Sequence, residues 1–548
     1  MKNWRVNLIF ILFFLVSAAV ISRLVFLQIL EGDLNKALSQ GLFASFNEFR
    51  GERGEVFLKG DEPLAINIDL PFVFINPKKI ENTEQAAESL SQTLGLDYDF
   101  ILEKINLNTS YSLIKRKLDP EQGEAVRNLN LEGVFVSEQK ERYYPQEELA
   151  SQLIGFLGAE GTGQYGLEQF YHQSLMGEEG FEDKIKGTSL LLTIDYNIQY
   201  QAEKILEKAK HDLDIEGGQI IVIEPISGKI LAMADMDGFD PNYYEEYARA
   251  GNLEVFKNRA TQGLFEPGSV FKPITMAAAL EEEKVTPKTT YTDTGSITIG
   301  SDTIHNYDKR VYDEYDPTMT EVLEKSINTG AIFVQRELGP NLFLKYIDKF
   351  GFFESTGIDI QEVYSQNREL RTARDINLAT ASFGQGIEMT PIQLVISYCA
   401  IANGGKLITP HLVEKLVFSD GRIEEVKPDK LEEAVISSKT ASQLTAMLVS
   451  VVENGFAKAT RIPGYFIAGK TGTAQVSYSA LGIKKEGYSD KTVQTFAGFV
   501  PAFNPQFLAL IKLDNPKTRT AEYSTVPAFR NLAEYIINYY QIPPDYEQ

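Results

Sequence analysis

Ser269-Val270-Phe271-Lys272 stands directly after Pro267-Gly268 and, across Pro273, before the apolar run 274–280. That setting places Ser269 in the first turn of a buried helix, expected over 269–284. Positions i and i+3 share a helix face, so the serine hydroxyl and the lysine amine can meet. The positive end of the helix dipole favours negative charge developing there. Taken alone the pattern says little, because S-x-x-K recurs at Ser112/Lys115 and Ser137/Lys140 in polar surroundings. Ser326-Ile327-Asn328 follows 57 residues after Ser269, and it too is unspecific, since S-x-N recurs at Ser45/Asn47 and Ser365/Asn367. Lys470-Thr471-Gly472-Thr473 lies 144 residues after Ser326, occurs once, and follows an expected strand at 465–468. The order of the three, each in an apt local setting, carries the information.

Working outward, 219–223, a turn at 225–228 and 229–234 read as a β-hairpin. Helices are expected at 319–338, 391–403 and 439–454, and strands at 495–500 and 507–513 before a last helix at 526–540. Strands at both ends with helices between predict an α+β domain. Its antiparallel sheet would join the two ends of the segment, flanked by helices, with a helical subdomain inserted between the motifs.

Composition sets the outer limits. The 548 residues are 43% hydrophobic and 24% charged, which is ordinary for globular protein and enough for three or four domains. With 53 basic against 76 acidic side chains the net charge is −23, which argues against nucleic acid as a partner. The single cysteine, Cys399, sits in an apolar run and reads as a small buried hydrophobe. His172, His211, His305 and His411 show no metal-ligand spacing, and no Gly-rich phosphate or dinucleotide motif occurs. Neither metal nor cofactor is expected.

At the N-terminus, Lys2 and Arg5 precede apolar residues 8–21, then Ser22-Arg23 and a second apolar run at 24–30. A cleaved signal peptide, with Ser17 and Ala19 before the cut, is one reading. The other is an uncleaved anchor. Residues 8–30 would span about 34 Å as a helix, enough for a hydrocarbon core of about 30 Å. The apolar run continuing past the cut favours the anchor. The positive flank then places 1–7 in the cytoplasm and the rest outside the cytoplasmic membrane.

The three motifs are those of serine β-lactamases and penicillin-binding proteins. With the anchor and the polar region 31–189, the chain resembles a class B penicillin-binding protein, a peptidoglycan D,D-transpeptidase. Further stretches similar to that family are Arg53-Gly54 through Pro63-Leu64-Ala65, Arg142-Tyr143-Tyr144-Pro145, Gly166-Leu167-Glu168 and Thr193-Ile194-Asp195. Phe239-Asp240-Pro241, Phe383-Gly384-Gln385-Gly386 and Phe496-Ala497-Gly498-Phe499-Val500-Pro501 also fit. The middle motif departs from the commoner S-D-N in having Ile327 between the two polar positions. The resemblance implies a cytoplasmic tail at 1–7, a transmembrane anchor at 8–30, an elongated mixed α/β pedestal of the dimerisation type at 31–189, and a transpeptidase domain at 190–548.

The resemblance also implies roles. Ser269 would be the acyl-forming nucleophile and Lys272 its general base, with a pKa lowered by burial and by Lys470. Ser326 would relay the proton to the leaving amine, and Asn328 would orient Lys272 and bond the substrate amide. Lys470, Thr471 and Thr473 would bind the terminal carboxylate of a D-Ala-D-Ala stem peptide, with Gly472 leaving room for it against the strand edge. The backbone N–H groups of Ser269 and Thr473 would form the oxyanion hole. β-Lactams would be covalent inhibitors. A membrane-embedded SEDS-type glycosyltransferase and division proteins would be partners, because 31–189 carries no glycosyltransferase motif of its own. A D,D-carboxypeptidase, which differs only in using water as acceptor, stays open. So do an elongation-type class B enzyme and a catalytically inactive division scaffold. Asp514-Asn515-Pro516-Lys517, the compact 142–158 region and the ending Gln541-Ile542-Pro543-Pro544-Asp545 look more like the division-specific branch.

Overall fold

The computed structural model describes residues 4–25, 52–179, 184–427 and 434–546. A helix, Trp4–Val25, comes first. Among the described residues no helix is long and apolar enough to cross a membrane. The expected anchor continues beyond Val25 into 26–30, which lie outside the described residues. The chain then builds two units that share it by turns. One takes Met1–Glu52, Ile66–Tyr143 and Gly177–Ile185; the other takes Arg53–Ala65, Tyr144–Met176 and Lys186–Gln548.

In the smaller unit, residues 66–75 pair antiparallel with Val134–Tyr143 on one side and Ser112–Lys115 on the other. Strand alternation sorts the side chains. Val73 and Ile75 join a core with Ala87, Leu90, Ile101 and Val126, while Phe72 and Phe74 cluster with Tyr111, Leu113 and Phe135. The helices supplying that core are Thr83–Leu94, Tyr98–Ile105 and Pro120–Asn128, which begin at Asn82, Asp97 and Asp119. Each cap side chain accepts a backbone N–H that the first turn leaves unpaired.

The larger unit carries a five-stranded antiparallel sheet in the order Ile230–Asp235, Gly217–Ile223, Phe507–Asp514, Tyr488–Val500, Ala468–Ser477. The hairpin and the two C-terminal strands thus meet as the pattern predicts. All seven residues of Gly217–Ile223 are buried, so the sheet is covered on both faces. Tyr196–Leu213 and Thr525–Tyr540 form one set of covering helices, with Phe496 packed 4.5 Å from the Phe529 ring. Lys272–Glu281, Pro391–Ala402 and Ser438–Asn454 form another. Ser438–Asn454 lies against the edge strand, and Cys399 is buried in Pro391–Ala402 as expected.

A second sheet in this unit joins Ile423–Glu425, Val413–Val417, Ser189–Asp195 and Val56–Lys59. Here the family-like stretches find physical reasons. Buried Arg53 donates to the buried Glu168 carboxylate at 2.7 Å, and Tyr144 donates to the same carboxylate at 3.2 Å. Asp195 caps Tyr196–Leu213 by accepting from the Asn197 and Ile198 N–H groups.

Three expectations need correction, and all touch the motifs. The helix expected at 269–284 starts as a tight 3-10 turn, Gly268–Phe271, and becomes α-helical only over Lys272–Glu281. The helix expected at 319–338 is two helices, Met319–Glu324 and Asn328–Leu338, broken by Ser326 at φ +53°. The strand expected at 465–468 instead starts at Ala468, so Lys470–Thr473 lies within a strand rather than after one.

Removing one partner of a buried ion pair leaves the other charge uncompensated, at a cost of about 3–5 kcal/mol. Glu168→Ala is therefore expected to destabilise the larger unit by that order and so to lower its unfolding midpoint. Calorimetry of the variant checks it, and an unchanged midpoint would contradict the assignment.

Candidate active site

The turn that carries Ser269 is held from three sides. Gly268 sits at φ +63°, a conformation that favours glycine, and a Cβ there would lie 2.9 Å from the Ala474 Cβ. Its N–H donates to the Gly384 carbonyl at 2.9 Å. Gly384 must itself be glycine, since a Cβ on it would fall 2.2 Å from the Gly268 carbonyl oxygen. Behind the turn, the buried Tyr398 hydroxyl donates to the Val270 carbonyl at 2.7 Å. Ser269 is left half-buried, accessible from the open side. Sequence reasoning placed Ser269 but missed these two supports. The only signal for Gly384 was its place in a family-like Phe-Gly-Gln-Gly stretch.

Lys272, the first residue of the α-helix, is 1% exposed. Its Nζ donates to the Ser326 carbonyl at 2.5 Å, to Ser326 Oγ at 3.2 Å and to Asn328 Oδ1 at 2.8 Å. Both Ser326 contacts depend on the left-handed backbone at that residue. Such a conformation is costly for a residue with a Cβ and persists where the surroundings enforce it. Lys470 reaches the same hydroxyl from the edge strand: its Nζ is 3.0 Å from Ser326 Oγ and 3.0 Å from the Thr471 carbonyl. It is 0% exposed.

One serine hydroxyl thus sits between two buried amines. Among the described residues, every acceptor on either amine is a neutral oxygen. Burial therefore drives the Lys272 pKa far below the ordinary lysine range, and the neighbouring Lys470 pushes the same way. Burial lowers Lys470 to about 7. The site cannot comfortably hold two ammonium ions, so a neutral amine is available near neutral pH.

The remaining candidates lie along the edge strand Ala468–Ser477, which among the described residues pairs only with Tyr488–Val500, leaving its other edge without a strand partner there. Thr471 is buried, while Thr473 is half-buried and accepts the Ala521 N–H at 3.2 Å through Oγ1. Gly472 also has a packing reason beside the expected one. A Cβ there would lie 2.4 Å from Thr495 Oγ1 and 3.0 Å from the Pro267 carbonyl, so the glycine lets the strand close on the nucleophile turn itself. Lys272, Ser326, Asn328 and Lys470 form one hydrogen-bonded group. Ser269 joins it through the packing of its turn on Gly472 and Ala474.

Comparison with known proteins agrees with this geometry. The Penicillin binding protein transpeptidase domain matches residues 218–534, and the Penicillin-binding Protein dimerisation domain matches residues 49–186. Stage V sporulation protein D of Bacillus subtilis (strain 168) is 30% identical over 553 residues, covering 96% of this chain and 84% of that protein. The peptidoglycan D,D-transpeptidase FtsI homolog of Mesostigma viride is 30% identical over 587 residues, covering 98% and 96%. The crystal structure of penicillin binding protein 3 from Mycobacterium tuberculosis, complexed with aztreonam, superposes with a TM-score of 0.71 at 26% identity over 91% of this chain and 98% of that one. With the transpeptidase match covering more than half of the chain and enclosing all three motifs, the protein belongs to the penicillin-binding protein transpeptidase family.

Proposed function

We propose that this serine D,D-transpeptidase cross-links peptidoglycan stem peptides through an acyl-enzyme on Ser269, and that β-lactams acylate the same residue. The observation that carries the reading is the pair of buried amines on one hydroxyl, with the half-buried Ser269 on a turn packed against the Lys470 strand. Neutral Lys272 takes the proton of Ser269 as Oγ attacks the carbonyl of the penultimate D-Ala. The amine of the terminal D-Ala leaves with a proton delivered through Ser326. An amine from a neighbouring stem peptide then attacks the ester, forming an amide and returning Ser269 to its hydroxyl form. The acyl carbon is conserved and no redox step is involved.

The charged partner in this scheme is Lys470, which with Thr471 and Thr473 receives the terminal carboxylate. The open strand edge accepts the extended donor peptide by backbone pairing. The Ser269 and Thr473 N–H groups serve the oxyanion, each at about 3–4 kcal/mol. Asn328 divides its amide: Oδ1 accepts from Lys272, one Nδ2 hydrogen goes to the His305 carbonyl at 3.0 Å, and the other is left for the substrate amide. The relative complexed with aztreonam supports β-lactam binding here.

The wider setting follows the sequence reading. Residues 8–30 anchor the chain in the cytoplasmic membrane with 1–7 inside, 31–189 form a non-catalytic pedestal, and 190–548 form the transpeptidase domain outside. A membrane-embedded SEDS-type glycosyltransferase would supply the glycan strands. Septal synthesis during division is the setting we favour, on the Asp514-Asn515-Pro516-Lys517 stretch. Sporulation is the second, on the relative named Stage V sporulation protein D.

Ser269→Ala is expected to abolish labelling by a fluorescent penicillin, and equal labelling of variant and wild type would contradict the mechanism. Ser326→Ala should retain the fold and lower the acylation rate about 100-fold or more, the usual scale for a lost proton-transfer group. With stem-peptide substrate the expected product is dimeric muropeptide; release of D-Ala without dimer would identify a carboxypeptidase instead. Depletion is expected to give filaments, whereas normal vegetative cells with defective spores would select the sporulation setting.

A further inference from the structure

The Asn328–Leu338 helix begins without a cap of its own. Its first four N–H groups have no partner inside the helix, and the residue at the cap position, Ile327, has no side-chain acceptor to offer. The missing acceptor comes from 23 residues upstream. Asn306 Oδ1 accepts the Thr329 N–H at 3.0 Å, and Asp293 Oδ1 accepts the Thr329 hydroxyl at 2.6 Å.

These three side chains are nearly inaccessible, at 2% for Asp293, 4% for Asn306 and 1% for Thr329. Asn306 Nδ2 donates to both Asp293 oxygens, at 3.2 and 3.0 Å, and to the Arg310 carbonyl at 3.1 Å. Asp293 also receives the Gly295 N–H at 3.1 Å and the Tyr312 N–H at 2.9 Å. The Tyr291 hydroxyl lies 3.1 Å from Thr329 Oγ1. The segment so fastened contains the hairpin Ser296–Ile299 and Asp302–His305. Ile297, Ile299 and Ile304 of this hairpin pack on Ala331, Ile332, Ala379 and Phe383. Its last residue, His305, holds the Asn328 amide nitrogen through its carbonyl at 3.0 Å.

We propose that Asp293 and Asn306 are positioning residues for the acyl transfer: by locking Thr329 and the His305 carbonyl in place, they hold the Asn328 amide with its oxygen toward Lys272. An Asn amide has two faces of opposite hydrogen-bonding character. Turned over, it would point N–H groups at Lys272 and its oxygen at the substrate, reversing both contacts at once. The lock acts on the side of the amide that the catalytic lysine does not see. It lies outside all three motifs, which is why motif reading passes over it.

The inference rests on the Ser269 acyl-enzyme reading, so the test is acylation by a fluorescent penicillin, resolved into noncovalent binding and the acylation rate constant. Asn306→Ala and Thr329→Val are expected to lose about 10- to 100-fold in the acylation constant, with noncovalent binding changed less than about threefold. Thr329→Ser, which keeps the hydroxyl, should restore the rate to within about threefold of wild type. Circular dichroism and thermal melting establish that each variant is folded. If Asn306→Ala does not fold, the Val and Ser pair at Thr329 decides alone. Equal acylation constants for Thr329→Val and Thr329→Ser, or a loss confined to noncovalent binding, would overturn the lock. Failure of the wild type to label at Ser269 would instead overturn the acyl-enzyme reading beneath it.

Discussion

Two amines buried within hydrogen-bond reach of one serine hydroxyl set the terms for the rest of the molecule. Lys272 is 3.2 Å and Lys470 is 3.0 Å from Ser326 Oγ. Desolvating one ammonium ion is expensive, and desolvating two side by side more so. The arrangement persists because each amine comes from a different rigid element and is wrapped in neutral oxygens. Lys272 begins a helix packed against the body of the domain, and Lys470 sits in a strand with nine paired positions to its neighbour. Ser326 takes a left-handed backbone to serve both. Its carbonyl and its hydroxyl both face Lys272, which an uninterrupted helix across 319–338 would not allow. The strain, the broken helix and the glycine contacts at Gly268, Gly384 and Gly472 all serve this one convergence.

That physical picture explains what could be read in the sequence and what could not. The sheet's make-up was legible because apolar runs at 219–223, 495–500 and 507–513 are buried strands with ordinary turn signals between them. Burial of Cys399 was legible for the same reason. The break at Ser326 was not, because Met319, Val322, Leu323, Ile327, Ala331 and Val334 keep a helical rhythm that runs straight through it. The edge strand was misplaced for the opposite reason. Gly469 and Gly472 look like turn residues, yet they lie mid-strand where a Cβ would strike the Phe496 ring or Thr495. Local pattern reports propensity and burial, while these positions answer to neighbours far away in sequence.

The same distinction applies to the larger organisation. A cut near 189 follows the change in composition, but Arg53–Ala65 and Tyr144–Met176 belong with the larger unit. Their allegiance is fixed by pairings such as Arg53 with Glu168, 115 residues apart, and Val56 beside Leu190 in a parallel ladder. No periodicity within either segment announces such partners. Charge behaves likewise. A total of −23 describes the surface. The site carries the opposite sign, concentrated on Lys470, and suits a peptide that ends in a carboxylate.

The central claim is that Lys272 is neutral when Ser269 attacks, and that burial and the charge on Lys470 keep it so. The most direct measurement is the pH dependence of the acylation rate constant for wild type and for Lys470→Gln. Lys272 must lose its proton to act, so the rate should rise with pH through an apparent pKa well below the ordinary lysine value of about 10.4. Removing the neighbouring positive charge favours the Lys272 ammonium, so the rising limb of Lys470→Gln should move to higher pH. A wild-type limb at the ordinary lysine value, or one that shifts to lower pH in the variant, would contradict the account.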